Sequence, residues 1–248
     1  EELLDELAGS RFFTSLDLRA GYHQIRMRPE DEHKATFKTH HGHFEFKVMP
    51  YGVRAGPSTF QGGMHIVLHP LVRHGVLVFI DDILVHSRDM DTHVHLLRQV
   101  FLRLQEHGLK VKRSKCFFAR TQLRYLGHEI SAEGVRTDQR NITAVQQWPV
   151  PTNVKEVRGF LGLAGYYRKF VRGFAVTSRP LTDLLKKGVV FRWTELEDGA
   201  FRVLQHALVT APVLALPDFT KTFELETDAS DLGIGAVLSQ DKHPIAFL

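Results

Sequence analysis

The sequence predicts an α+β fold, and three observations predict it. Short apolar runs and alternating segments, typical of strands and hairpins, dominate up to about Arg136. From Thr137 the texture changes to capped helices. From Phe223 alternation returns. Strands and helices grouped in this way belong to α+β chains rather than to regular βαβ repeats.

The 248 residues could form one large domain or two to three smaller ones, and 43% hydrophobic side chains argue against wholesale disorder. No apolar run approaches the about 20 residues of a membrane span, and no signal peptide opens the chain. The one cysteine, Cys116, excludes an internal disulfide framework and suits a reducing compartment. Beside Phe117 and Phe118 it reads as a small core residue. Net charge is only +4, yet Lys and Arg cluster over Gly108–His128 and Val157–Thr182 without an acid among them. Either cluster alone is an ordinary solvated face; together they suit an extended anion such as nucleic acid. The fifteen histidines show no paired helical zinc-ligand pattern and read as mostly surface residues.

In chain order, Glu1–Ala8 reads as a short helix with Leu3, Leu4 and Leu7 inward and Gly9 ending it. Arg11–Leu18 follows as a strand with Asp17 at its end, an acid costly to bury unless paired or bound to metal. Gly21 permits a turn, after which Tyr22–Met27 is expected to resume extended structure. Pro29 opens a helical turn. Ala35–Phe37 and His43–Val48 form a hairpin around Gly42. A Gly/Pro-rich loop from Met49 runs into a helix with Pro57 near its start, Phe60, Met64, Val67 and Leu68 inward, and Gly62-Gly63 weakening it.

Val76–Phe79 and Ile83–Val85 are apolar runs flanking Asp81 and Asp82 at a hairpin tip. The pair is either a solvated acidic turn or a divalent-metal site. Next, Met90, Val94, Leu97, Phe101 and Leu104 mark the inward stripe of the clearest helix, stopped by Gly108. Tyr125–Ile130 and Gly134–Arg136 form a strand pair. Helices follow over 139–148, from the Asn153/Glu156 capping box, from Pro180 to Lys187, and from the Thr194/Glu197 box to Thr210. Last comes a β-hairpin whose first strand places Glu224, Glu226 and Asp228 on one face, with no third strand expected to support it.

Asp17, Asp81 and Asp82 are the acids at strand ends, and their strands could neighbour one another in one sheet. Carboxylates converging so can hold two Mg²⁺ ions for phosphoryl or nucleotidyl transfer. Phe79-Ile-Asp-Asp82 resembles the Tyr-x-Asp-Asp box of reverse transcriptases. Ser15-Leu-Asp-Leu-Arg-Ala-Gly-Tyr-His-Gln-Ile25 resembles the first carboxylate motif of gypsy-like LTR retrotransposon polymerases. The similarity continues in order through Met49-Pro-Tyr-Gly52, Pro57-Ser-Thr-Phe-Gln61, Tyr125-Leu-Gly-His128 and Gly159-Phe-Leu-Gly-Leu-Ala-Gly-Tyr-Tyr-Arg-Lys-Phe170. It ends in Glu226-Thr-Asp-Ala-Ser-Asp-Leu-Gly-Ile-Gly-Ala-Val237, similar to the start of that family's ribonuclease H domain.

The resemblance implies a polymerase palm with partial fingers over 1–133, a helical thumb and connection over 134–212, and a truncated start of a ribonuclease H-like domain over 213–248. Its activity would be RNA-directed DNA polymerisation by two metal ions, Mg²⁺ with Mn²⁺ as the alternative. Asp17, Asp81 and Asp82 would be catalytic and metal-binding, with the Leu18 carbonyl a further ligand. Tyr22 would gate the incoming sugar, or else be a core aromatic, while Tyr51 and Gly52 would border the nucleotide pocket. Lys115 would donate a proton to pyrophosphate or simply contact phosphate. Leu126, Gly127 and His128 would grip the primer, and Tyr166, Tyr167, Arg168 and Lys169 would lie along the duplex in the thumb. Asp228 would be the first ribonuclease H carboxylate.

The implied partners are an RNA/DNA or DNA/DNA template-primer, deoxynucleoside triphosphates and the remainder of a pol polyprotein. The implied setting is intracellular, with no membrane: the cytoplasm, a virus-like particle or the nucleus. Departures from the family pattern are Phe79 for Tyr, Arg54-Ala-Gly56 beside the pocket, and Gly62-Gly63. The fingers are largely absent and only one ribonuclease H acid is kept, so this chain alone is expected to extend a primer poorly and not to cleave RNA. The rival is a degenerate or domesticated fragment that binds nucleic acid without polymerising. A two-metal nuclease on the same acids is a more distant one, disfavoured by the primer-grip and thumb motifs.

Overall fold

The structure, a computed structural model, describes residues 2–230 and 233–248. Asp231 and Leu232 of the last motif, and Glu1 of the first helix, lie outside the described residues. The chain divides into two compact units, Gly9–Leu123 and Arg124–Leu248 together with Glu1–Ala8. The opening helix α1 (Glu2–Asp5) is shorter than expected, but Leu4 and Leu7 are buried as the pattern requires.

In the Gly9–Leu123 unit, β1 (Phe12–Asp17) is followed by the hairpin β2 (Thr36–Thr39) and β3 (Gly42–Glu45), then α2 (Gly56–Leu68), β4 (Val76–Phe79), β5 (Asp82–Ser87), α3 (Met90–Glu106) and β6 (Phe117–Arg120). The antiparallel sheet runs β4-β5-β1-β6. Val76, Leu77, Val78, Ile83, Leu84 and Val85 are all buried, so the two apolar runs are strands covered on both faces. Helix α2 buries Phe60, Met64, Val67 and Leu68 in that core. It continues through Gly62 and Gly63, because this packed face outweighs the about 1 kcal/mol each glycine costs.

Several expectations are corrected here. Tyr22 does not start a strand: Gly21–Gln24 is a 3₁₀ turn. The Gln24 amide donates to the Arg19 and Lys110 carbonyls, and its oxygen accepts from the Lys110 N–H, which folds the segment back. On α3 the buried residues are His93, Val100 and Leu104, whereas Met90 and Val94 are 40% and 52% exposed. His93 sets this rotation, its ring bonded to Thr14 Oγ1 (2.7 Å) and Ser87 Oγ (3.0 Å). The histidines are therefore not all superficial: His86, His93 and His128 are buried. Strand β6 has no buried face that an apolar pattern would mark: Phe117 and Phe118 are 52% and 40% exposed, and Cys116 beside them is only partly buried.

The chain leaves this unit within β7 (Gln122–Tyr125), which heads a sheet completed by β8 (His128–Ser131) and β9 (Gly134–Thr137). Helices α4 (Gln139–Gln146), α5 (Val154–Tyr166), α6 (Phe174–Asp183) and α7 (Glu195–Val209) follow. Asp138, Asn153 and Thr194 cap α4, α5 and α7 with their side chains. Helix α6 starts before Pro180, which lies inside it. Ser178 and Leu181 are buried beside that proline, and this packing carries the helix through.

The final sheet has three strands, not two: β10 (Glu224–Ser230), β11 (Gly233–Gln240) and β12 (His243–Phe247). The third strand is anchored by the Ala215 N–H donating to the Pro244 carbonyl and by buried Ile245. Pro244 at the second position of β12 had hidden the strand from pattern reading.

Candidate active site

The site is built where β1 and β5 end together. They pair antiparallel with Asp17 opposite Asp82, while Asp82 also pairs with Phe79 across the β4–β5 hairpin. Asp82 is thus the first strand residue, and Asp81 sits with Ile80 in the turn. Burial raises the Asp82 pKa above the usual carboxylate value, and the charges of Asp81 and then Asp17 raise it further, against Lys115. Asp82 therefore lies within electrostatic reach of both Asp81 and Asp17.

Lys115 Nζ donates to Asp17 Oδ2 at 3.0 Å. That hydrogen bond, followed by the charges of Asp17, Asp81 and Tyr51, holds the Lys115 pKa above its ordinary value. The lysine reaches the site because its segment runs beside the end of β1: the Lys112 N–H donates to the Asp17 carbonyl and the Arg19 N–H to that of Lys110. These bonds flank the bridge between Leu18 and Val111, so the Leu18 N–H and C=O point away from Val111. The Leu18 side chain is core, 3% exposed.

Tyr22 is half-buried, stacked on Phe60 (5.2 Å, 7°) and tilted against the exposed ring of Tyr51 (5.0 Å). Gly21 allows this close assembly: a Cβ there would stand 3.1 Å from the Phe60 ring and 3.5 Å from Asp81 Cβ. Gly52 follows Tyr51 as an exposed glycine at φ +91°. The structure thus brings Asp17, Asp81, Asp82, Lys115, Tyr22 and Tyr51 to one end of the sheet.

In the Arg124–Leu248 unit, Leu126 and Gly127 form a tight left-handed turn between β7 and β8 (φ 46° and 73°). The turn is held from α5: Tyr166 Oη donates to the Leu126 carbonyl and Tyr167 Oη to that of Gly127, each at 2.6 Å. Asn141 of α4 donates in turn to Tyr167 Oη. Two expectations change. Tyr167 and His128 are 1% and 3% exposed, so they are internal struts rather than surfaces that touch a ligand. His128 is stacked between Tyr166 (5.3 Å) and Phe170 (5.7 Å). Tyr166 and Arg168 are exposed and Lys169 partly so. Asp228 is exposed on β10, opposite Gly235.

Sequence reading missed Asn141 and Gln61. Gln61 lies in a quoted motif, but only the folded chain shows its amide donating to the Val78 carbonyl (3.0 Å) and accepting from the Ile80 N–H (2.5 Å).

Among the described residues, no three His, Cys, Asp or Glu side chains are gathered as a metal cage. Magnesium needs none, since it uses one or two carboxylates together with substrate oxygens. The donor set fits such an ion: Asp82 stands opposite Asp17 and next to Asp81, and a hard cation would relieve the repulsion that, after burial, raises the Asp82 pKa.

Comparison with known proteins gives the class to which this fold belongs. The model of the reverse transcriptase (RNA-dependent DNA polymerase) family matches residues 1–130, and the chain belongs to that family. A second model, the RNase H-like domain found in reverse transcriptase, matches 193–248. The chain is 41% identical over 249 residues to the retrovirus-related Pol polyprotein from transposon 297 of Drosophila melanogaster, covering 100% of this chain and 24% of that one. It is 42% identical over 243 residues to the transposon Tf2-3 polyprotein of Schizosaccharomyces pombe, covering 98% of this chain and 18% of that one. It thus spans a quarter or less of these relatives. A foamy viral protease-reverse transcriptase in complex with double-stranded DNA shares its fold, with TM-score 0.92 and 23% identity over 100% of this chain and 44% of that one. The foamy viral protein in complex with RNA/DNA hybrid gives 0.87 and 23%, over 99% of this chain and 34% of that one. The expected α+β polymerase fold is therefore the observed one. No helix of the described residues is long and apolar enough to cross a membrane.

Proposed function

We propose that this chain carries the catalytic aspartates of an RNA-directed DNA polymerase that extends a primer on an RNA or DNA template. The observation that carries the reading is the cross-strand pair Asp17–Asp82 with Asp81 in the adjoining turn. Asp17, Asp81 and Asp82, with the Leu18 carbonyl, would hold two Mg²⁺ ions, Mn²⁺ being the alternative. When bound, such ions lower the pKa of a primer hydroxyl and neutralise phosphate charge.

The remaining work falls to the chain's own groups. Tyr22, braced by Phe60 and Gly56, offers a fixed ring edge against which a ribose 2′-hydroxyl would clash. Tyr51 and Gly52 border the same space. Lys115 stays charged while paired with Asp17. With Asp17 holding a cation, the Lys115 ammonium would be free to meet a triphosphate oxygen, as phosphate contact or proton donor. The main chain of Leu126-Gly127, stiffened by Tyr166 and Tyr167, would seat the primer end. Exposed Arg168, with Lys169, would contact duplex phosphates without reading sequence.

The proposed organisation is a palm with partial fingers over 1–133, thumb and connection over 134–212, and the start of a ribonuclease H-like domain over 213–248 led by Asp228. The rest of a pol polyprotein would complete it, inside the cell. The test is Mg²⁺-dependent primer extension on an RNA template, by the chain alone and joined to the upstream residues of its reading frame. Extension should vanish in Asp81→Asn while hybrid affinity is retained and falls with salt. Extension unchanged by Asp81→Asn would refute the assignment.

A further inference from the structure

We propose that Gln61 is a positioning residue for the catalytic turn, its side-chain amide acting as the missing neighbouring strand that holds Ile80, and so Asp81, in place. This rests on the polymerase reading of the aspartates. Strand β4 is the edge of its sheet, so the outward backbone groups at its end have no strand to pair with. Val78 C=O and Ile80 N–H point the same way, and the Gln61 amide meets both at once, at 3.0 and 2.5 Å. One residue of a neighbouring strand would make the same two bonds.

The amide orientation is forced. The reverse one would set NH₂ against the Ile80 N–H and oxygen against the Val78 carbonyl. The Gln61 nitrogen is therefore a donor, and His65 Nε2, 2.7 Å away, must accept from it. Gln61 is itself placed by its neighbours on α2, Phe60 stacked on Tyr22 and Met64 buried in the core.

Ile80 needs such a hold. It adopts φ 54°, a left-handed conformation that a β-branched residue avoids. The residue after it is Asp81, so relaxation of Ile80 would swing that carboxylate away from Asp17 and Asp82. Helix α2 thereby performs two tasks from adjacent positions: Phe60 braces Tyr22, and Gln61 sets the turn.

Hydrogen exchange of the Ile80 amide, followed by NMR, tests the clamp directly, and Mn²⁺ affinity read by water proton relaxation tests its consequence. In Gln61→Ala the Ile80 amide should exchange about tenfold faster, as expected for losing one hydrogen bond, while the Leu77 and Leu84 amides keep their protection. Mn²⁺ affinity should fall by a similar factor. Adding Ile80→Gly should restore the affinity, because glycine holds the left-handed conformation unaided. A merely structural role for Gln61 in α2 would not be rescued in this way. Unchanged Ile80 exchange in Gln61→Ala, or no rescue by Ile80→Gly, would overturn the proposal. The exchange readout does not depend on polymerisation. If Asp81→Asn leaves Mn²⁺ affinity intact, it is the active-site reading that fails.

Discussion

Asp17 and Asp82 face each other across the β1–β5 pair, two carboxylates in register where strand neighbours of opposite charge would be more stable. Lys115 pairs directly with Asp17, and its charge only partly offsets the upward shift of Asp82. Stability has been given up here for a concentration of negative charge.

Replacing Asp82 with Asn should therefore stabilise the metal-free protein at pH 7, by about 1 kcal/mol, the upper range for partly exposed charge pairs. That is a rise in Tm of about 2–4 °C for a chain of this size. The sign follows from the raised pKa. The unfolded chain ionises Asp82 first, so stability declines as pH rises above 3.8 until Asp82 also ionises in the fold. Mg²⁺ should raise the Tm of wild type more than that of Asp82→Asn. Equal shifts in calorimetry would argue against metal binding by this residue.

Acid should loosen both units through buried histidines. His86 and His128 are each held down to a pKa of about 4, burial being the main cause in both. Their ordinary value is 6.5, so the stability gained from the neutral ring is complete above 6.5 and is lost as pH falls towards 4. At pH 5.5 each should cost about 1.4 kcal/mol. The Nε2 atom of His86 and the Nδ1 atom of His128 have no hydrogen-bond partner among the described residues to receive the added proton. Urea unfolding at pH 7.5 and 5.5 measures the loss, and His128→Phe should remove the His128 share.

Removing the Tyr167 hydroxyl breaks two bonds, to the Gly127 carbonyl and from Asn141, whereas Tyr166→Phe breaks the one to Leu126. Tyr167→Phe should cost about 1–2 kcal/mol, because it leaves two partly buried polar groups without this partner, and Tyr166→Phe about 0.5–1. If the Leu126-Gly127 turn seats the primer, both variants should weaken primer-template binding more than nucleotide binding. KM values for the two substrates separate these effects.

Gly134 tolerates no side chain. Its φ is +137°, and a Cβ would lie 2.1 Å from the Leu214 carbonyl oxygen, which accepts from the Val135 N–H. Gly134→Ala must push this backbone pair apart, and a loss of about 3 kcal/mol or more is expected. Gly162, on α5, meets nothing within 4 Å, so Gly162→Ala should be neutral or stabilising. Thermal unfolding of the two variants checks the contrast.

Much of the site could be read along the chain. Local rules placed Asp17 at a strand end, Asp81 in a turn between buried strands, and the caps at Asn153 and Thr194, because backbone period and capping depend on near neighbours. The same rules misjudged α3, where apolar Met90 and Val94 are left exposed while polar His93 is buried. Leu97, Phe101 and Leu104 do pack on the core; what turned the first part of the helix were hydroxyls on β1 and β5, remote in sequence.

By itself the sequence determined which residues carry charge, where the buried β4–β5 hairpin and the capped helices α5 and α7 lie, and, through ordered motifs, the polymerase family. Tertiary structure alone decided that Asp17 stands opposite Asp82, that Lys115 reaches Asp17 from 98 positions away, and that Tyr167 and His128 are struts. It also decided that Gln61 completes the edge of β4. Register and burial are set when separate segments pack against one another, and no local pattern contains that information.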